Sequence, residues 1–536
     1  MTSSLRASLG AGALAAWGAL GAGCAASLGQ PTIADAVSAH PLLPARIRRL
    51  SNAEYERSAS ELLGMPLDLA GQLPPEVRQS GYTRNADQTT SSEGLARLDQ
   101  IVSALAHDAV RARAGKLAPC ATKPGAACVA RTVESFGSRA FRHPLAPDER
   151  QRLLTIFAAG SADGAGFAGG LEALLRTLLV SPSFLYTTEL GEGATPGARV
   201  ALTIDEIASE IAFTVRGGPP DAELLAAARA GLLRSGEERA RHARRLIAAS
   251  DTRDQFQRFV LEWLEVDGLE QTAKAPSVIA DYDELKPHFL DETKAFVDQV
   301  LVYHGATVRA LLTAGFASVD PVMARFYGLH SYGPEASLGD SGRLGVLQQA
   351  SFLSTHAHDD SSSPIKRGDF VLRRLLCEPV KRPGEVGIDI VLPPAAPTLT
   401  TRARFDVHTA SAACSGCHQQ LDQLGFSFEN FDAAGQLRQT ENARPIDTSA
   451  EIWRDGRSLH FVDSRDLSRY LAKNPRVEAC FARQAFRFFS GSSAPGPEQT
   501  FVDLARGLPD SASGNLLEEL VAFVASDLFI EREVLP

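Results

Sequence analysis

The sequence predicts a mainly α, multi-helical protein of several packed helical domains, with one small β-hairpin near residues 444–462. Three observations carry that expectation. Helix-start signals recur: Ser51-Asn52-Ala53-Glu54 and Thr203-Ile204-Asp205-Glu206 are capping boxes, each beside a hydrophobic staple (Leu50 with Tyr55, Leu202 with Ile207). Apolar residues follow such starts at helical spacing, as in Leu153, Leu154, Ile156 and Phe157. The best β element is Ile446, Ile452, Trp453, Leu459 and Phe461 around Asp455-Gly456, a hairpin turn pair.

Regular structure is expected from about Arg46. The first box opens a helix through Leu62-Leu63 that stops at Gly64, with Pro66 beyond. A polar, turn-rich segment over 81–87 leads to a helix from Glu93 to Arg113, then one from Arg131 to Arg142. Pro147 with Asp148 and Glu149 starts the next, proline at the first position and acids at the positive dipole end. Gly160–Gly170 is expected to be a flexible break before a helix over Leu171–Val180. Beyond the second box, helices are expected over Ala222–Ala230, Glu237–Ala249, Arg253–Leu264 and Leu285–Tyr303. Arg239, Arg241, Arg244 and Arg245 crowd one of these and are expected to form a solvated face. His288 and Glu292 stand four apart, but a metal would need a third ligand. His356-Ala357-His358-Asp359-Asp360 is a polar loop, metal-capable or simply N-capping, before a helix over Ile365–Cys377. Lys381–Thr400 is Pro-rich and expected to be irregular, and Thr401–Ala412 is expected to be a short helix. After the hairpin, Asp463 caps a helix through Leu471, Asn474-Pro475 starts another, and Asn515–Ile530 is expected as the last.

The 536 residues allow two to four domains, and 44% hydrophobic with 22% charged content is ordinary for a globular protein. A net charge of −10 argues against a nucleic-acid partner, which calls for clustered excess Lys and Arg. Arg6 is the one charged side chain before a small-residue apolar run from Ala7 to Ala22, too short and too Ala/Gly-rich for a membrane span. It fits a signal sequence and ends at Leu20-Gly21-Ala22-Gly23-Cys24. That ending resembles a lipobox, with the Leu one position further from the cysteine than usual. Export is therefore expected, periplasmic or at the cell surface, with Cys24 as the lipidated residue anchoring the chain in a membrane.

Cys414-Ser415-Gly416-Cys417-His418 is the stretch where residue type and spacing imply specific chemistry. Two thiols two residues apart and a following histidine form the c-type haem attachment pattern. The sulfurs would bond covalently to the haem vinyl groups, and His418 would be the proximal iron ligand. Two other readings stay open. A zinc site needs a second ligand pair, and no other CxxC occurs; a thioredoxin-like pair belongs beside a βαβ unit, which the flanks do not show. Of the seven cysteines, four remain: Cys120 and Cys128 flank a short loop suited to a local disulfide, and Cys377 and Cys480 pair across a long one or stay as buried thiols. No methionine follows His418, the three being Met1, Met65 and Met323, so the candidate sixth ligands are His356, His358, His408 and His460, unless Met323 folds back.

Several motifs, in order, resemble exported planctomycete-cytochrome-type proteins, tandem domains of unknown function ending in a c-type cytochrome-like segment. They are Arg48-Arg49-Leu50 with Leu62-Leu63-Gly64; Phe136-Gly137 with Ala140-Phe141-Arg142-His143-Pro144-Leu145; Ser181 to Tyr186; Ser363-Pro364-Ile365-Lys366-Arg367-Gly368; Leu424-Gly425-Phe426 with Glu429-Asn430-Phe431-Asp432; and Cys480 to Gln484. The family usually has Asp-Pro where this chain has Asp422-Gln423. The resemblance covers about residues 46–530; with the signal peptide over 1–24 and an Ala, Ser, Gly and Pro-rich linker over 25–45 read from composition, the expected domains are helical ones over 46–115, 116–190 and 200–335, a cytochrome c-like haem segment over 340–440, and a C-terminal domain over 444–530. It implies extracytoplasmic haem and redox work with a partner protein. Three functions stay in play: a monohaem electron carrier for a partner oxidoreductase, an enzyme with an open haem iron, and a non-redox surface lipoprotein acting as a binding or scaffold module.

Overall fold

Helices dominate; some of the small sheets tie distant parts of the chain together, and others pair strands close in sequence. The computed structural model describes residues 41–536 apart from 194, 250–251, 381–397, 411 and 536, without the side chains of 406–417. The signal segment with Cys24, and the linker up to residue 40, lie outside the described residues. Both capping boxes form: Ser51 caps the helix Asn52–Leu63 and Thr203 caps Ile204–Arg216, each helix ending on a left-handed glycine.

Two hydrophobic cores result. The first is built by the helices Asn52–Leu63, Ser92–Leu117, Ala126–Phe141, Pro147–Gly160 and Gly166–Val180. The glycine-rich break is only residues 161–165: Gly160 and Gly169 abut each other's backbone, so glycine here serves close helix packing rather than flexibility. The second core runs from the helix Ile204–Arg216 to Phe529 and Ile530, and takes in Leu421, Leu424, Phe428 and Phe431. Among the described residues, no helix is long and apolar enough to cross a membrane.

Regular structure starts at Leu43, inside the expected linker. Leu43–Pro44 pairs in parallel with Glu531–Glu533, which pairs antiparallel with Arg199–Ala201, so one sheet joins the described start, the middle and the end of the chain. Arg46–Arg49 pairs antiparallel with Tyr186–Glu189 and brackets the first core. The final helix is interrupted at Ser526, between Leu516–Ala525 and Asp527–Ile530. That break explains a second departure from expectation. Arg239 is not on a solvated face; it is buried and donates to the carbonyls of Val524, Ala525 and Ser526, satisfying the open end of Leu516–Ala525. Arg241, Arg244 and Arg245 do form partly exposed ion pairs, with Glu238, Glu518 and Asp221.

The hairpin Ala450–Arg454 with Arg457–Phe461 turns at Asp455 and Gly456, both at positive φ as a two-residue loop demands. Cys120 is bonded to Cys128, and Cys377 to Cys480.

Where the cores meet, a charged cluster is buried. Arg48 and Arg84 both bind Glu54, and Arg84 reaches on to Glu210 and the Phe489 carbonyl. Burial alone would raise the Glu54 carboxyl; Arg48 and Arg84 outweigh it and hold it at about 2, so the charges are compensated where they sit.

Candidate functional site

Cys414, Cys417 and His418 lie on the helix Ala412–Phe426, which follows the helix Thr401–Ala410. At 3.6 residues per turn, positions 414, 417 and 418 share one face. The side chains of both cysteines lie outside the described residues. His418 is 23% exposed, and its Nδ1–H donates to Asp422 Oδ1 at 2.9 Å, one turn on. That hydrogen bond, with the carboxylate charge behind it, raises the His418 pKa above 6.5. It also settles the tautomer: the proton is on Nδ1, so a metal bound by His418 would be bound through Nε2. The donor chemistry of two thiol positions and an oriented imidazole on one face fits a c-type haem.

The helix is set in a clamp. Gly368, on the helix Pro364–Phe370, lies so close to the Leu421 carbonyl that a Cβ would collide with it, and Gly425 meets the Pro364 carbonyl in the same way. The side chain of Arg367 is fully buried and donates to four carbonyls, those of Phe428, Phe431, Leu353 and Asp432, at 2.9–3.1 Å. Glu429 accepts from Ser362 Oγ and from Arg438. The Ser363–Gly368 and Leu424–Asp432 motifs are thus two halves of one device that fixes the helix. Leu424, Phe426, Phe428 and Phe431 are buried core residues.

The contacts of Gly425 with Pro364 and of Gly368 with Leu421 make the two helices antiparallel. This bears directly on the sixth-ligand candidates. The loop carrying His356 and His358 precedes Pro364 and so joins the clamp at the Gly425 end, ~10 Å along the helix from His418 at 1.5 Å per residue. His356 is a core residue, 6% exposed, packed on Phe352 and Phe370, with Nε2 hydrogen-bonded to the Leu264 carbonyl at 2.9 Å. Burial pushes it down to about 4, so it is neutral. The His358 backbone is pinned between Ser361 and Lys274. His460 is exposed on the hairpin beside Glu451 and lines a cleft of about 910 Å³ with Gln419, Gln420 and Gln423. Of those glutamines, Gln419 and Gln423 lie off the face shared by 414, 417 and 418, and Gln420 stands one turn on from Cys417. Met323 is buried in the helix Pro321–Tyr327. The side chain of His408 lies outside the described residues.

Four family models match in tandem, each described as a protein of unknown function: PSD3 (DUF1587) over residues 48–111, PSD5 (DUF1595) over 128–189, PSD4 (DUF1592) over 202–329 and PSCyt3 (DUF1588) over 343–441. The chain carries these four domains in tandem. No curated protein and no solved structure matches it. The first two domains share the first hydrophobic core. The fourth, DUF1588, contains both halves of the clamp and the Cys414–His418 stretch.

Neither Asp422 nor Arg367 was assigned a role from sequence. Asp422 carried a signal, since an acid four residues after a histidine on a helix lies beside it; its complete burial carried none. His288 hydrogen-bonds Asp320, and Glu292 accepts from Tyr327, so these two do not form a metal pair. Among the described residues, no group of three or more His, Cys, Asp or Glu is placed to hold a metal ion.

Proposed function

We propose that this protein is an exported c-type monohaem redox protein, with Cys414 and Cys417 as the covalent attachment points and His418 as the proximal ligand, passing electrons for a partner oxidoreductase. The observation that carries the reading is the CxxCH helix with His418 Nδ1–H held by Asp422. When bound, the haem supplies one-electron chemistry. His418 offers Nε2, Asp422 keeps the ring oriented, and the Gly368–Gly425 contact with Arg367 stops the helix from shifting under its load. The disulfides suit an oxidising compartment, and Cys24 would supply the lipid anchor. An iron open on its distal side is a variant of this reading, supported by the burial of His356 with its Nε2 on the Leu264 carbonyl.

The test is a pyridine haemochrome assay on protein made in a host with haem-attachment machinery. One covalent haem per chain is expected, lost in Cys414→Ser with Cys417→Ser; colourless wild-type protein removes the reading. A high-spin spectrum with cyanide binding would indicate the open iron, a low-spin one a sixth protein ligand. A second reading, a non-redox surface lipoprotein that binds a ligand, draws on a cleft of about 820 Å³ in the DUF1587–DUF1592 part of the chain, lined by Ile47, Arg142, His143, Tyr186, Asp205 and Arg234 among others.

A further inference from the structure

The Asp422 side chain is closed to solvent, with 0% of it exposed. Oδ1 takes the His418 Nδ1–H, and Oδ2 has no hydrogen-bond partner among the described residues. As a device for stability this is a poor bargain. A histidine–carboxylate pair one turn apart on a helix contributes about 0.2–0.5 kcal/mol, whereas a buried acceptor left unsatisfied costs about 1–3 kcal/mol, more when charged. An apolar side chain would pack there without that cost. The placement makes sense if the carboxylate acts on whatever His418 holds.

We infer that Asp422 is a positioning and tuning residue: its buried carboxylate strengthens His418 as an electron donor to iron and holds the haem reduction potential low. This rests on the c-type haem reading above. The physical chain is short. A carboxylate accepting Nδ1–H pulls that proton towards itself and raises the electron density available at Nε2. Its negative charge, in a site without solvent to screen it, favours the ferric over the ferrous state. One electron from the partner protein is taken up at the iron, the Nδ1 proton stays on His418, and no bond breaks. The clamp matters here because it fixes the one helix that carries both His418 and Asp422, so the pair keeps its place against the packed Pro364–Phe370 helix. In the family pattern the same aspartate is followed by proline; here Gln423 follows, and the carboxylate still reaches the imidazole.

The test uses the full chain with Asp422→Asn, which keeps an acceptor but removes the charge, and Asp422→Ala as the second variant. Haem is counted by pyridine haemochrome, and the midpoint potential is read by optical redox titration. The expected result is wild-type haem content with the potential shifted upward in whichever variant holds haem. A coloured wild type whose haem-loaded variants titrate at its own potential overturns this inference and leaves the haem reading standing. Loss of haem from both variants assigns Asp422 a purely structural role and overturns it as well. A colourless wild type overturns the haem reading, and this inference with it.

Discussion

Glu54 and Asp422 are both 0% exposed, and the protein treats them in opposite ways. Glu54 accepts four hydrogen bonds, two from Arg48, one from Arg84 and one from the Ser51 amide. Both of its oxygens are satisfied, and it ties the first core to the second. Asp422 accepts one, from His418, and leaves its other oxygen unpaired among the described residues. A buried carboxylate used as a fastener is surrounded by donors; Asp422 has one, and it is the His418 imidazole. The same contrast appears in the arginines. Arg84 has two carboxylates in hydrogen-bond reach, whereas Arg367 hydrogen-bonds four carbonyls and has the Glu429 carboxylate only at 3.9 Å.

The comparison breaks most visibly at Glu54. Glu54→Gln leaves Arg48 and Arg84 without their shared counter-charge, so urea unfolding should show a loss of about 3–5 kcal/mol. Asp422→Asn should cost far less, and an equal loss at the two sites would erase the distinction. A pH series sharpens it. The Glu54 pKa lies at about 2 in the fold, below its ordinary 4.5. Its contribution is therefore complete above pH 4.5 and is lost as pH falls towards 2, and the acid limb of the wild-type stability curve should be steeper than that of Glu54→Gln. Next in size is Gly368→Ala. The added methyl group meets the Leu421 carbonyl, and overpacking of this kind costs about 1–3 kcal/mol. Hydrogen exchange should speed up along the helix Ala412–Phe426 and leave the first core unchanged. The smallest effect is expected at Trp453, 66% exposed on the hairpin, where Trp453→Ala should change stability by less than about 0.5 kcal/mol in thermal melts.

Much of the local structure was legible. Ser51 with Glu54, Thr203 with Glu206, and Asp455-Gly456 each announce an element through contacts within a few residues, and each element forms there. Other environments were not legible, because the partners lie far away in sequence. Arg239 looks like part of a charged surface until the break at Ser526 presents three carbonyls to it. Leu43–Pro44 looks like linker until Glu531–Glu533 arrives to pair with it. His356, a candidate sixth ligand by residue type, packs on Phe352 and Phe370 and meets the Leu264 carbonyl, and no local pattern announces those partners.

Taken alone, then, the order of residues determines where helices begin and where the hairpin turns, because periodicity and capping act over one or two turns. Tertiary structure alone decides that Glu54 is fully satisfied and Asp422 barely so, and that Gly368 and Gly425 lock two helices together. Burial and hydrogen-bond partners at those places come from segments tens to hundreds of residues apart, and no local pattern encodes them.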